Sequence, residues 1–346
     1  MKPSIIMRKW FSRPLCYYYK TGRYHFHKKH NWFIVLMYHR IIEKIKSGKF
    51  MQGGMYVEPE TFRKQILYLK DNFNVISLDK IQSFHHPEHQ NDGKKPFCVL
   101  TFDDGWKDFY VNAFPVLTAH NVSATVFLPT DFIGTAKRFW TDRLADIVYK
   151  MDDIGIVDRG IDRSSSKIGK KIECIEGTVE FKLEEAIKAL KALPDEEIEA
   201  ILDEMKERWE VEEGAHAASF LSWEEAREMH NSGIICFGSH TKSHRILTTI
   251  SEDAVREELT RSKNKLLKER IVGSSFIPFA YPNGNYNDRI ASLVEEAGYH
   301  LALTTESGWN RVMDRGTGSY RLKRVGIHQD MTSTNAMMAC RIYGSF

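Results

Sequence analysis

Two carboxylates stand side by side in Thr101-Phe102-Asp103-Asp104-Gly105, at the end of the apolar run that begins at Phe97. Adjacent carboxylates closing a buried strand are costly unless a cation or a proton compensates them. In isolation the same residues also fit a turn that caps a helix. A second group, Gly238-Ser239-His240-Thr241-Lys242-Ser243-His244, again ends an apolar run. Imidazoles four residues apart converge on one face where the chain turns helically, although a single His-x-x-x-His is a weak signal. Together with Asp104, His240 and His244 supply three oxygen and nitrogen ligands. Three protein ligands plus an open position are what a catalytic zinc or similar divalent ion requires. A third segment, Phe279-Ala280-Tyr281-Pro282-Asn283-Gly284, closes another strand with turn-forming residues and brings backbone N–H groups toward the same rim. An ordinary strand-to-helix loop has the same signature.

The elements that must position these residues are legible as an alternation. Apolar runs at Phe33 to Tyr38, Phe73 to Leu78, Phe97 to Phe102, Val122 to Leu128, Ile234 to Gly238, Phe276 to Ala280, Leu301 to Thr304 and Arg324 to Ile327 predict about eight buried strands. Helical spacing runs over Pro59 to Asp71, Phe109 to His120, Trp223 to Ser232, Ser251 to Arg270 and Asn287 to Ala297. Ser222 with Glu225 forms a capping box, Ser251 marks a further N-terminus, and Gly233 and Gly298 sit at C-cap positions. Strands alternating with helices predict an α/β fold with a parallel sheet, closed here as a barrel, and a barrel's chemistry sits at its strand C-termini. His39 directly follows the first strand and so approaches that rim.

The alternation breaks at about residues 142–221, which predict a mainly helical insertion; residues 151–222 carry 19 acidic and 10 basic side chains, or −9. Hydrophobic residues make up 42% of the 346 residues and charged residues 27%, a globular balance. No uninterrupted apolar run approaches the roughly 18–20 residues that cross a bilayer. The five cysteines, Cys16, Cys98, Cys174, Cys236 and Cys340, form no Cys-x-x-Cys pair, so neither a disulfide framework nor a cysteine zinc site is indicated.

Charge is unevenly placed. Residues 1–42 hold nine of the 49 basic groups and none of the 46 acidic ones, so the rest of the chain carries 40 basic against 46 acidic, or −6. Residues 1–32 therefore read as a basic, aromatic N-terminal arm suited to peripheral contact with an anionic membrane face, ahead of a catalytic domain over 33–346. The acidic remainder offers no extended basic groove for nucleic acid. No secretory signal is read in the first residues, where Arg8, Lys9 and Arg13 interrupt the apolar stretch, so the expected location is the cytoplasm or the inner face of the membrane.

In the order and spacing of its three motifs the chain resembles the polysaccharide deacetylases, carbohydrate esterases with a NodB-type homology domain. The resemblance rests on TFDDG at 101–105, SHTKSH at 239–244 and FAYPNG at 279–284. VLMYHRI at 35–41 and RLKRVGIH at 321–328 resemble the branch that acts on exopolysaccharides. The resemblance implies a distorted (β/α) barrel of the NodB type and a divalent metal, zinc before cobalt, nickel or iron, held by Asp104, His240 and His244. It further implies Asp103 as general base and His328 as the acid that protonates the leaving amine. The implied partner is an N-acetylated glycan or glycan precursor, met by the loop at Tyr281 and Asn283, by Trp309 and by His39.

Two residues depart from the family pattern. Ala280 stands where an arginine commonly contacts the base, and Asn283 where a tyrosine follows the proline. The tuning of Asp103 must then come from elsewhere or be weaker, whereas a backbone donor near Asn283 survives any side-chain change. Alternative readings are an amidohydrolase acting on a small non-sugar amide, or a glycan-binding protein whose site has lost its chemistry.

Overall fold

The computed structural model describes residues 32–43, 54–83, 95–154, 166–191, 193–211, 220–311 and 320–344. Of the expected N-terminal arm, only Trp32 lies among them. The described residues form two compact units, one built from 32–135 and 220–344, the other from 136–211. No described helix is long and apolar enough to cross a membrane.

The larger unit is a curled, mostly parallel sheet flanked by helices. Its strands are β1 (Trp32–Tyr38), β2 (Arg40–Ile41), β3 (Tyr56–Val57), β4 (Asn74–Val75), β5 (Phe97–Phe102), β6 (Ala124–Leu128), β7 (Ile235–Ser239), β8 (Pro278–Ala280), β9 (Leu301–Leu303), β10 (Asn310–Arg311) and β11 (Val325–Gly326). The main sheet runs β10-β1-β5-β6-β7-β8-β9, with β4 also paired to β5 and β11 to β1, while β2 and β3 pair separately. Only β10 runs antiparallel, beside Trp32 and Phe33 at the start of β1. β5 and β6 are apolar almost throughout, as strands buried on both faces must be.

The final segment closes the curl. Leu322 donates to the Ala302 carbonyl and accepts from Thr304 N–H beside β9, while Val325 and Gly326 pair in parallel with Leu36 and Met37 of β1. Residues 322–326 therefore bridge the first and last strands of the row. Alternate strand positions Phe33, Val35, Val99, Phe127, Leu301 and Leu303 gather with Ala280 and Leu322 into one core, the inner face of the barrel. Period two then carries that face from Val99 through Thr101 to Asp103, and from Leu322 to Arg324.

The flanking helices are α1 (Pro59–Asn72), α2 (Phe114–His120), α7 (Trp223–Asn231), α8 (Glu252–Lys268), α9 (Asp288–Glu296), α10 (Gln329–Thr332) and α11 (Asn335–Ile342). The capping box at the start of α7 forms, with Ser222 Oγ accepting from Glu225 N–H at 3.2 Å and the Glu225 carboxylate accepting from Ser222 N–H at 2.9 Å. Gly233 and Gly298 take positive φ beyond α7 and α9. The single helix expected over Phe109 to His120 is divided: Phe109–Ala113 is a π turn and α2 begins at Phe114. Pro115 has no N–H to give the carbonyl four residues back, so the turn ahead of it widens.

The second unit holds α3 (Trp140–Ile154), α4 (Lys167–Glu173), α5 (Val179–Leu190) and α6 (Asp195–Arg208), with no strand among its described residues. Leu144, Ile147 and Val148, Leu183, Ile187 and Leu190, and Ile201, Leu202 and Met205 make its core at helical spacing.

Gly238 sits where β7 crosses closest to its neighbours. A Cβ there would lie 2.5 Å from Phe127 Cε1 and 2.7 Å from the Pro278 carbonyl oxygen. Gly238→Ala should destabilise the fold by about 1–3 kcal/mol through overpacking, read as a lower urea midpoint with an unchanged slope.

Candidate active site

The residues singled out at three strand ends meet at one rim. Asp103 extends β5, its N–H donating to the Tyr38 carbonyl at 3.0 Å. Asp104 then takes φ +74°, and Thr241, His244 and Asn283 are also left-handed, at +66°, +63° and +56°. Such conformations cost non-glycine residues about 1–3 kcal/mol each and persist only where the surroundings hold them. Here they shape the three loops that follow β5, β7 and β8.

At the rim Asp104 Oδ1 lies 3.5 Å from His240 Nε2 and 3.3 Å from His244 Nε2. All three ligand atoms fall within 4.8 Å of one another. Asp104 and His240 are each aimed by a further contact. Asp104 Oδ2 accepts the Trp106 indole N–H at 3.0 Å, which leaves Oδ1 facing the imidazoles. His240 Nδ1 lies 2.7 Å from the Ala280 carbonyl, to which it donates, so Nε2 carries the lone pair. Burial pushes the His240 pKa down to about 4, keeping the ring in the neutral form that a metal needs. Burial raises the Asp104 carboxyl, but the His244 hydrogen bond and the neighbouring imidazoles overcome it and hold it well below the usual range. A carboxylate oxygen and two imidazole nitrogens, with Asp104 and His240 each oriented by a contact behind it, suit a divalent ion.

Asp103 is held differently. Arg324 grips both of its oxygens, Nη1 to Oδ1 at 2.7 Å and Nη2 to Oδ2 at 2.8 Å, while Nε donates to the Thr304 carbonyl at 2.8 Å. The guanidinium is 0% exposed and the carboxylate 3%. Burial would lift the Asp103 pKa; the charges of Arg324 and His240 and the paired hydrogen bonds prevail and lower it. Asp103 thus has an arginine partner despite Ala280, and it comes from the segment that closes the barrel. Arg324 is the functional residue that the sequence reading left unassigned.

The remaining candidates separate. The pairings of Tyr38 with Phe102 and of Met37 with Gly326, continued by one and two residues, set His39 beside both Asp103 and His328. His328 Nδ1 is hydrogen-bonded to Asp330 Oδ1, which leaves Nε2 for other contacts. Asn283 is exposed on the loop after β8. Tyr281 is corrected: its ring is 0% exposed and its hydroxyl donates to the Tyr320 carbonyl, so it supports the loop from within. Trp309 is corrected too. It precedes β10 at the opposite end of β1, stacks on Tyr343 at 5.9 Å and donates Nε1–H to the Ile342 carbonyl.

A barrel whose strand ends gather a buried carboxylate and an Asp-His-His ligand set has the site of a metal-assisted hydrolase. The chain belongs to the polysaccharide deacetylase family, whose model matches residues 90–160 and 184–302. A poly-β-1,6-N-acetyl-D-glucosamine N-deacetylase of Escherichia coli K12 is 32% identical over 135 residues, 38% of this chain and 17% of that protein. The chain thus spans well under a fifth of that relative. The Bacillus subtilis protein YxkH, whose name places it among polysaccharide deacetylases, is 24% identical over 301 residues, 87% of this chain and 73% of its own. Among solved structures, the Streptococcus pyogenes deacetylase PplD in complex with acetate shares the fold with a TM-score of 0.55 and 20% identity, covering 90% of this chain and 98% of that one. IcaB from Ammonifex degensii does so at 0.53 and 16%, covering 89% and 97%.

Arg324→Met should leave Asp103 buried and unpaired at a cost of about 3–5 kcal/mol, partly recovered when Asp103→Asn is added, as read by urea unfolding. In whatever activity the folded variant keeps, the acid limb of the pH profile should move up. With the arginine gone, burial raises the Asp103 pKa, so the ionised base is lost at a higher pH than in the parent.

Proposed function

We propose that this chain is a metal-dependent hydrolase that removes N-acetyl groups from N-acetylhexosamine units of a polysaccharide or glycan precursor, releasing acetate. The observation that carries the proposal is the convergence of Asp104, His240 and His244 beside a separately clamped, ionised Asp103. The name of the Escherichia coli relative supports the choice of an N-acetylated sugar polymer.

Asp104, His240 and His244 would hold a divalent ion, zinc by the preference of these donors, which would supply Lewis acidity toward the acetamide carbonyl and the attacking water. Asp103, fixed by two hydrogen bonds from Arg324, takes the proton of that water as its oxygen bonds to the carbonyl carbon. A backbone N–H of the loop at Asn283 meets the developing oxyanion. His328, oriented by Asp330, delivers a proton to the nitrogen as the carbon–nitrogen bond breaks. Acetate and a free amine leave, balancing one water consumed per acetamide. Arg324 also weighs against the reading of a site that has lost its chemistry, since it restores the partner that Ala280 removed.

Purified protein loaded with zinc or cobalt should release acetate from β-1,6-linked N-acetylglucosamine oligomers. Asp103→Asn should lower the rate by roughly 10²–10⁴-fold while keeping the metal. Release of acetate from small non-sugar amides alone would turn the assignment to the amidohydrolase, and no release from any N-acetylated sugar by the loaded protein would refute it.

A further inference from the structure

The loop that carries both imidazoles is held from behind by a residue that touches neither of them. Glu258, on the inward face of α8, is 5% exposed although it is a carboxylate. Its Oε2 accepts from Lys242 N–H at 2.9 Å and from Ser243 N–H at 2.8 Å, and its Oε1 accepts from Ser243 Oγ at 2.6 Å. Successive backbone N–H groups that follow a left-handed residue make an anion-binding concavity, and Thr241 is that residue, with φ +66°. One turn further along the helix, Ser262 Oγ lies 2.7 Å from Ser239 Oγ, which in turn accepts from Thr241 N–H at 3.2 Å. The loop closes on itself where Thr241 Oγ1 accepts from His244 N–H at 2.9 Å. Every residue between the two imidazoles is therefore tied down, and the anchor common to 242 and 243 is one buried carboxylate.

We infer that Glu258 is a positioning residue of the metal centre: its carboxylate holds residues 241–244 in the bent form that brings His244 to the point where His240 and Asp104 already face each other. The inference rests on the metal-site reading of those three residues and adds to it a fourth side chain, from a different element, on which ligand convergence depends. Glu257 supplies the internal comparison. It is the neighbouring carboxylate on the same helix and bonds the Lys242 side chain at 3.1 Å, but it touches no backbone of the loop.

The test is metal affinity, which needs no substrate. The full chain is stripped of metal and titrated with Zn²⁺ against a chromophoric chelator, and with Co²⁺ while its visible absorption is recorded. Glu258→Ala should bind Zn²⁺ roughly 10–100-fold more weakly, the range seen when groups supporting metal ligands are removed, and its Co²⁺ spectrum should change in shape. Glu258→Gln should stay within a few-fold of the parent, because the amide oxygen still accepts both backbone N–H groups and the amide NH₂ can donate to Ser243 Oγ. Glu257→Gln should match the parent. Ser243→Ala removes one of the three bonds without altering α8 and should weaken binding a few-fold, so it decides the matter if Glu258→Ala does not fold.

Unchanged affinity in Glu258→Ala, or in Ser243→Ala where that variant decides, overturns the inference. So does a loss in Glu258→Gln as large as in Glu258→Ala, since charge and not loop geometry would then be at work. A parent protein that binds neither ion refutes the metal-site reading itself, a result distinct from equal binding by parent and variants.

Discussion

Two neighbouring carboxylates buried at a strand end are the constraint around which this molecule is organised. Neither Asp103 nor Asp104 can stay ionised at 3% exposure without a partner of its own, and one partner shared between them would leave a charge uncovered. The backbone separates them. Asp103 keeps the extended course of β5 and meets a guanidinium, while Asp104 turns into the left-handed region and meets two imidazoles and an indole N–H. Two chemically alike side chains thereby acquire different work. One accepts a hydrogen bond from the guanidinium on each of its oxygens, and the other keeps one oxygen turned to a site for a cation.

Much of this was legible in the residue order. The eight apolar runs all contain strands, the longest of them, β1, β5 and β6, being buried almost throughout. The ligand set was legible because Asp104 and His240 each stand two positions beyond such a run, with His244 four residues further on. Strands two residues long, β2, β3 and β10, left no such signature. Arg324 escaped assignment for a different reason. Its partner lies 221 positions away, and nothing local to RLKR says which of its cations points inward. Alternation from Leu322 on the inner face does say so, once that segment is seen to bridge β9 and β1.

Tyr281 and Trp309 were misread in a related way. Tyr281 was put forward as part of the FAYPNG segment, and Trp309 from the stretch Glu306 to Trp309, where an aromatic could line a sugar site. In the fold, Tyr281 follows an inward-facing Ala280 and is buried in the core, while Trp309 precedes β10, which pairs with the end of β1 opposite the rim. Glu258 is the converse case. A glutamate within a helix rich in charged residues looks like one more solvated side chain, and only its place between Val255 and Leu259 on the buried face marks it.

The bridging segment at 322–326 ties the site to the order in which the chain is made. The ribosome delivers Asp103 long before Arg324, so during synthesis a nearly complete row of strands exists in which the nascent base has no cation beside it. A carboxylic acid buried without a partner takes up a proton more readily than it keeps its charge. The growing barrel can therefore hold Asp103 neutral until its last strand docks. Docking of residues 322–326 therefore closes the wall and brings Asp103 its guanidinium in the same step.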